Sequence, residues 1–246
     1  MTVAMPSQPL FLVSVRSPEE VPVALSGGAD IVDVKEPREG ALGAVDPTVI
    51  AAIVRSVAGR RAVSATIGDC ELDEAPPRVE ETAAIGVDYV KIGLFGVASA
   101  PAMSALERCA ASGIRLIAVM FADLSPRWDQ IRLLAEAGFF GIMLDTADKR
   151  HGGLREHLAP RDLAEFLSQA RAHGLLAGLA GSLREADAKA LLPLAPDVLG
   201  FRGALCGDGE RGGTLHSGRV ASMRALIARG AGMTPASDRI VMAEEG

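Results

Sequence analysis

Short apolar runs alternate with longer amphipathic segments along most of this chain. Runs of six to eight residues with strand-like composition predict eight strands, over 10–15, 30–35, 61–66, 88–93, 115–122, 140–146, 175–181 and 197–203. Segments with helical periodicity follow them, beginning with a short one opened by Ser17 and continuing over 46–58, 77–85, 101–112, 126–137, 160–173, 183–194 and 217–229. The pattern therefore predicts one helix after each strand.

Eight consecutive strand–helix units predict the α/β class and, within it, a (β/α)8 TIM barrel. Glycines close four of the helices just before the next strand, as C-terminal caps do: Gly86, Gly113, Gly138 and Gly174. The alternative is an open doubly wound sheet, which normally carries a glycine-rich turn after its first strand. That strand ends in "VRSPEE" here. We predict a single barrel domain over residues 8–230 and a flexible tail over 231–246.

Charged residues stand where several of these predicted strands end. Asp33 and Lys35 end the second strand, Lys91 lies in the fourth, and Asp145 ends the sixth, with Lys149 four residues later. The active sites of (β/α)8 enzymes lie at the C-terminal ends of the strands. Successive strand residues alternate between faces, so Asp33 and Lys35 share one. Because charges are not expected against the helix layer, we predict that these side chains point into the barrel.

Lysine is rare in this chain, and its distribution is informative. Lys and Arg total 25, but only four are lysine, and three of those four stand at the predicted strand ends. Arginine cannot form an imine and does not shuttle protons. Cations packed together at low dielectric lower one another's pKa, which supplies the neutral amine that a Schiff-base lysine requires. Nearby aspartates would orient the amine or move protons. The alternative is that these lysines simply carry charge to solvent.

Two glycine-containing segments follow the seventh and eighth strands, "GLAGSL" (178–183) and "FRGAL" (201–205). Barrel enzymes often bind phosphate in these two loops through backbone N–H groups and a helix N-terminus. We predict a phosphate site formed by Gly181, Ser182, Arg202 and Gly203, with Ser182 as a possible helix N-cap. Glycines that merely end strands are the alternative.

Composition and spacing argue against nucleic acid, membranes and metal ions as partners. The net charge is −6 and no basic tract runs along the chain, which argues against nucleic acid. The apolar runs are too short to span a membrane, and no signal-peptide pattern is visible. Three cysteines without a paired spacing suit a reducing cytoplasm. The four histidines lack zinc-ligand spacing, so no metal site is expected.

Five segments resemble the (5-formylfuran-3-yl)methyl phosphate synthase family: "GGADIVDVKEPREGALGA" (27–44), "VSATIGD" (63–69), "GVDYVKIGLFG" (86–96), "MLDTADK" (143–149) and "GLAGSL" (178–183). The resemblance covers about residues 8–230. It implies a barrel of the class I aldolase type that joins two molecules of glyceraldehyde 3-phosphate, with loss of phosphate and water, to make a furan precursor of methanofuran. It implies Lys35 as the Schiff-base residue, Lys91 as proton acceptor, and Asp33, Asp145 and Lys149 as supporting residues, without a metal or organic cofactor.

Two other functions stay open from the sequence. One is a different Schiff-base aldolase acting on a sugar phosphate, such as the deoxyribose-phosphate type. The other is a non-catalytic phosphosugar-binding protein. In each case the partner is a phosphorylated small molecule. Barrels of this size often assemble, so we expect a homo-oligomer.

Overall fold

Eight parallel strands form a closed barrel in this computed structural model, which describes residues 8–96 and 99–231. The strands are β1 (Leu10–Val15), β2 (Ile31–Val34), β3 (Ala62–Thr66), β4 (Tyr89–Gly93), β5 (Leu116–Phe121), β6 (Gly141–Asp145), β7 (Leu176–Leu179) and β8 (Val198–Phe201). Each pairs with its neighbour in sequence, and β8 pairs with β1. The predicted (β/α)8 fold is therefore confirmed. Residues 232–246 of the predicted tail lie outside the described residues.

The helices follow the strands around the ring. They are α1 (Val21–Ser26), α2 (Pro47–Val57), α3 (Ala75–Ala84), α4 (Ala100–Ala111), α5 (Asp129–Glu136), α6 (Leu154–His157), α7 (Pro160–Ala172), α8 (Glu185–Leu191) and α9 (Ser217–Ala231). The one-turn helix α6 lies in the loop after β6, where no helix was expected. The helix predicted to begin at residue 126 begins at Asp129 instead.

Local signals explain where several helices begin and end. Asp46 is the N-cap of α2, and its carboxylate accepts the N–H of Thr48 at 2.8 Å. Such a cap is worth about 1 kcal/mol. The four glycines expected to close helices all have positive φ, a backbone conformation that side chains other than glycine's disfavour: Gly86, Gly113, Gly138 and Gly174.

The apolar core has two layers. The larger one lies between the strands and the helices. The smaller one fills the barrel interior and includes Leu12, Ile31, Ile117, Met143 and Val198. Residues two positions further along the same strands therefore also face inward, which includes Asp33 after Ile31 and Asp145 after Met143. This parity places the charged side chains above an apolar floor.

Close packing in the interior depends on a missing side chain at Gly178 of β7. A Cβ atom there would lie 2.8 Å from Cγ of Met143 on β6. Because no real Cβ contact is that short, the methionine occupies the space that any other residue at this position would take. Met143 thus fills the part of the barrel floor beside Gly178.

Polar contacts join the two ends of the chain at the seam between β1 and β8. Leu10 pairs with Val198 in the parallel register. Nearby, Arg224 of α9 forms an ion pair with Asp30 at 2.7 Å.

None of the helices in the described part of the chain is long and apolar enough to cross a membrane.

Candidate active site

A cavity of about 1630 Å³ opens at the C-terminal ends of the strands. Its lining includes all five of the predicted catalytic residues: Asp33, Lys35, Lys91, Asp145 and Lys149. It also includes the predicted phosphate-site residues Gly181, Ser182, Arg202 and Gly203. The structure therefore brings the residues selected from the sequence to one end of the barrel, on one cavity.

Asp33 and Lys91 form a buried ion pair, which we call the Asp33 pair. Nζ of Lys91 donates to Oδ1 of Asp33 at 3.0 Å, and Lys91 and Asp33 are 4% and 1% exposed. Ser14 donates its hydroxyl to Oδ2 of Asp33 at 2.8 Å, and Ser64 donates to Oδ1 at 2.6 Å. Asp33 thus has one cation and two hydroxyl donors around one carboxylate.

Strand register explains why both serines reach Asp33. Ser14 of β1 and Ser64 of β3 are the direct neighbours of Asp33 in the two parallel pairings of β2. All three side chains point inward at the same level of the barrel. Sequence reasoning missed both serines, although their inward parity and their position two residues after an inward apolar residue were readable signals.

Asp145 lies between two lysines, and we call these three residues the Asp145 cluster. Nζ of Lys35 donates to Oδ2 of Asp145 at 3.2 Å. Nζ of Lys149 donates to Oδ1 of the same carboxylate, to the carbonyl of Thr146 and to the hydroxyl of Thr146. The three N–H donors of Lys149 therefore have acceptors, whereas Lys35 has this single acceptor among the described residues.

Burial and charge act in opposite directions on the two carboxylates. Burial alone would raise the pKa of Asp33, but Lys91, the Ser64 hydroxyl and Lys35 outweigh it and lower that pKa below its usual value. Burial is likewise the largest influence on Asp145, and Lys149 and Lys35 reverse it, so that the pKa of Asp145 lies well below its usual range. Both aspartates are therefore ionised near neutral pH.

At Lys149 the effect of burial on the pKa outweighs that of the neighbouring opposite charge. Burial lowers the pKa of Lys149 to about 8, and the attraction of Asp145 only partly opposes this. The positive charges of Lys35 and Arg211 lower it further. Near pH 8 a substantial fraction of Lys149 is thus the neutral amine, with burial as the largest cause and the neighbouring cations as smaller ones.

Carboxylates also fix the two loops that carry the site lysines. Asp69 accepts the N–H groups of Ala41 and Leu42, at 2.8 and 2.7 Å, in the loop after Lys35. Asp123 accepts those of Ala147 and Asp148, both at 2.7 Å, in the loop before Lys149. Each loop is therefore anchored to the end of a neighbouring strand. Asp123 was not selected from the sequence.

Of the predicted phosphate-site residues, Gly181 and Ser182 lie in the loop after β7, and both have positive φ. Gly181 has φ 104° and its Cα lies so close to β6 that a Cβ would be 3.2 Å from the N atom of Thr146. Ser182 has φ 51°, and helix α8 begins only at Glu185 after the cap residue Arg184. The expectation that Ser182 caps this helix is therefore wrong, because its backbone is left-handed and precedes the helix by three residues.

Arg202 has a role in the framework that the phosphate prediction did not foresee. Its guanidinium forms a bidentate ion pair with the carboxylate of Glu20, with N–O distances of 2.6 and 3.0 Å. Its remaining N–H groups donate to the carbonyls of Ser14, Arg211 and Gly213. All five N–H donors are thus engaged, and none is left for a phosphate. This corrects the assignment of the Arg202 side chain to the anion site.

Other residues considered from the sequence lie away from the reacting groups or in exposed positions. His151 is an exposed loop residue with Nδ1 3.0 Å from Asp148. Cys206 is buried and its thiol contacts the carbonyls of Arg202 and Gly213, and burial raises its pKa. Among residues 8–96 and 99–231, no group of three or more His, Cys, Asp or Glu side chains is arranged to hold a metal.

Solved structures with a similar fold come from several enzyme families. KGPDC from Streptococcus mutans matches with a TM-score of 0.65 at 13% identity, covering 90% of this chain and 98% of that chain. The 3-hexulose-6-phosphate synthase of Salmonella typhimurium matches with a TM-score of 0.64 at 19% identity, covering 87% and 97%. At these identities the likeness extends to the barrel fold alone.

Sequence relatives give a more specific match. The (5-formylfuran-3-yl)methyl phosphate synthase of Methanopyrus kandleri is 36% identical over 239 residues, covering 90% of this chain and 100% of that protein. A Methylorubrum extorquens protein provisionally given the same name is 43% identical over 215 residues, covering 87% and 90%. The family model described as 4-HFC-P synthase matches residues 11–224. This chain therefore belongs to the 4-HFC-P synthase family.

Proposed function

We propose that this protein is a (5-formylfuran-3-yl)methyl phosphate synthase. It would condense two molecules of glyceraldehyde 3-phosphate and release one phosphate and two molecules of water, as a carbon–oxygen lyase in the biosynthesis of methanofuran or an analogue. The observation that carries the proposal is the Asp145 cluster, where one buried carboxylate serves two lysines. Membership of the 4-HFC-P synthase family supports the product named in this proposal.

Lys35 is the residue that forms the imine in this proposal. Its Nζ is hydrogen-bonded only to Asp145 among the described residues, and it lines the cavity at 9% exposure. The amine adds to the triose carbonyl, and loss of water gives a protonated imine. The positive charge of that imine acidifies the adjacent C–H bond, and proton loss gives the enamine that joins the second triose.

Lys91 and Lys149 move protons in the later steps. The enamine requires a base for the C–H proton, and the loss of water and phosphate requires acids near the leaving groups. Lys91 is held by Asp33 on a nearby strand, and Lys149 titrates near pH 8 beside Lys35. Each amine that gives up a proton remains next to an ionised carboxylate, which favours its reprotonation.

The test is borohydride trapping in the presence of glyceraldehyde 3-phosphate, with mass analysis of both protein and product. We expect a reduced adduct on the peptide that contains Lys35, and a product with the mass of the furan phosphate. An adduct of equal yield in Lys35→Ala would overturn the assignment of Lys35. An adduct at Lys35 with a different product would favour another Schiff-base aldolase, and ligand binding with neither would favour a phosphosugar-binding protein.

We also propose that the protein acts in the cytoplasm as a homo-oligomer on a phosphorylated triose. The free thiols of Cys70, Cys109 and Cys206 support a reducing compartment. Sedimentation analysis of the purified protein tests the oligomer, and a single species with the mass of one chain would overturn it.

A further inference from the structure

The loop after β8, residues 202–216, is held at its main chain by three arginines. Arg202 donates to the carbonyls of Arg211 and Gly213. Arg16 and Arg38 both donate to the carbonyl of Gly212, at 2.8 and 3.4 Å. The segment "GDGERGG" within this loop is tied at three consecutive carbonyls to arginines that follow β1, β2 and β8. These contacts hold the main chain on which Arg211 stands.

Arg211 differs from its neighbours because part of its side chain has no partner. Its Nη1 is buried and forms no hydrogen bond with any residue in the described ranges. The side chain lines the active-site cavity. A buried guanidinium N–H without an acceptor is costly, and proteins normally satisfy it. An acceptor that enters the cavity would remove this cost.

Arg211 lies in the loop that contains Gly203 and lines the same cavity as Lys149 and the glycine-containing loops. Its backbone N atom would lie 3.4 Å from a Cβ placed on Gly203. Its positive charge acts on Lys149 across the cavity. Gly181 and Ser182 line the same cavity. An anion bound in this cavity would therefore share it with a guanidinium whose Nη1 lacks a hydrogen-bond acceptor among the described residues and with the backbone of the glycine-containing loops.

We propose that Arg211 binds the phosphate group of a substrate or product, and that it supplies the side-chain donor of the anion site in the loops after β7 and β8. The identity of the phosphate compound rests on the proposed function. Phosphate dianions suit this site because a guanidinium offers two parallel N–H donors to two phosphate oxygens. Arg211 thus takes the role that was expected of Arg202, whose five donors serve the framework.

Binding at Arg211 has a consequence for Lys149. The charge of Arg211 is one of the influences that lower the pKa of Lys149 to about 8. A bound dianion would outweigh that charge, so the pKa of Lys149 would rise. Lys149 would then be protonated while phosphate is present, which is the state of an acid that assists a leaving phosphate.

The experiment measures binding of inorganic phosphate and of glycerol 3-phosphate by isothermal titration calorimetry at constant ionic strength. Glycerol 3-phosphate has no carbonyl and forms no imine, so binding is separated from catalysis. The variants are Arg211→Gln and Arg211→Lys. The matched control is Arg150→Gln, which removes the same charge from an 85% exposed side chain on the same cavity rim, where it pairs with Asp148. Melting temperatures verify that each variant is folded.

We expect Arg211→Gln to weaken the binding of both ligands by about tenfold or more, and Arg211→Lys to weaken it less. Arg150→Gln should change the affinity by less than about twofold. Equal weakening by Arg211→Gln and Arg150→Gln would overturn the proposal, because bulk charge would then explain both. If only the binding of inorganic phosphate is lost, the site belongs to the released phosphate. If the binding of both ligands is lost, the site also binds the phosphate ester.

The same variants separate this proposal from the proposed function. If the wild-type protein binds phosphate through Arg211 but does not convert glyceraldehyde 3-phosphate, the proposed function fails and the anion site stands. If the wild-type protein converts the triose and Arg211→Gln binds phosphate as tightly as the control, the anion site fails and the proposed function stands.

Discussion

The Asp33 pair and the Asp145 cluster contain the same two kinds of side chain in different proportions. Asp33 faces one lysine and two serine hydroxyls, so its charge is balanced and its oxygens are satisfied. Asp145 faces two lysines, so the Asp145 cluster carries one positive charge in excess when both amines are protonated. Both aspartates are buried, at 1% and 6% exposure. Burial therefore does not distinguish them, and the charge count does.

The difference indicates where an amine is most easily deprotonated. In a one-to-one buried pair, transfer of the proton from the lysine leaves an uncompensated carboxylate in a low dielectric, which favours return of the proton. In the Asp145 cluster one lysine can lose a proton while the other still balances the carboxylate. We therefore propose imine chemistry at the Asp145 cluster, and proton transfer through Lys91 of the Asp33 pair, which recovers its proton beside the ionised Asp33.

The largest expected effect distinguishes Lys35 from the other lysines. Replacement by Met removes the proposed imine, and we expect kcat to fall on the order of 10⁶-fold, as removal of the nucleophile does in other covalent enzymes. Lys189→Met is the control, since Lys189 pairs with Glu185 on the exposed surface of α8. Steady-state kinetics with glyceraldehyde 3-phosphate provide the measurement. Trapping that remains at Lys35 in Lys149→Met would keep the assignment even if the losses were comparable, whereas trapping at Lys149 in Lys35→Met would reverse it.

The next effect tests whether the Asp33 pair is a balanced unit. Asp33→Asn leaves Lys91 as a buried cation, and we expect the free energy of unfolding to fall by about 3–5 kcal/mol. The double variant Asp33→Asn, Lys91→Met removes both charges and should recover much of that loss. Urea denaturation at neutral pH measures all three proteins. A double variant less stable than Asp33→Asn would show that the pair is not the source of the loss.

Lys149 provides a smaller effect that depends on pH. Its pKa is about 8 in the folded protein and 10.5 when unperturbed, so between these values the unfolded chain binds the proton more strongly. The free energy of unfolding contributed by this group therefore rises with pH through that window, by up to about 3 kcal/mol. Lys149→Met should lack this rise. Denaturation at several pH values across this window measures it, and identical slopes in both proteins would contradict the lowered pKa of Lys149.

The smallest effect concerns the hydroxyls that hold Asp33. Ser64→Ala removes a 2.6 Å hydrogen bond to a buried carboxylate, and we expect a loss of about 1.5–3 kcal/mol in stability together with a lower kcat. The Ser64 hydrogen bond also lowers the pKa of Asp33, so the acidic limb of the pH–rate profile should move to higher pH. Ser64→Thr, which keeps the hydroxyl, is the comparison. A change in stability with an unmoved acidic limb would limit Ser64 to a packing role.

The fold and the charged residues of the site were readable from the sequence because both follow from short-range rules. Alternation of faces along β2 and β6 is enough to place Asp33 and Asp145 inward, and the rarity of lysine draws attention to Lys35, Lys91 and Lys149. The ends of β1 and β8 lie within two residues of their predicted bounds.

What the sequence did not reveal depends on contacts between distant parts of the chain. The roles of Ser14 and Ser64 require the register between β1, β2 and β3, which residue patterns do not set. The role of Arg202 requires its partner Glu20, which lies 182 residues earlier. The backbone of Ser182 adopts a left-handed conformation that its residue type does not predict.

The pairing of Glu20 with Arg202 also constrains the order in which the protein matures during synthesis. A ribosome releases the chain from its N-terminus, so the segment around Glu20 emerges long before residue 202 has been added. Until then the Glu20 carboxylate lacks the Arg202 guanidinium as a partner. Burial of the unpaired carboxylate is unfavourable, so it favours an exposed position in water. We therefore expect the loop after the first strand to reach its final packing only once the segment that carries Arg202 has been added.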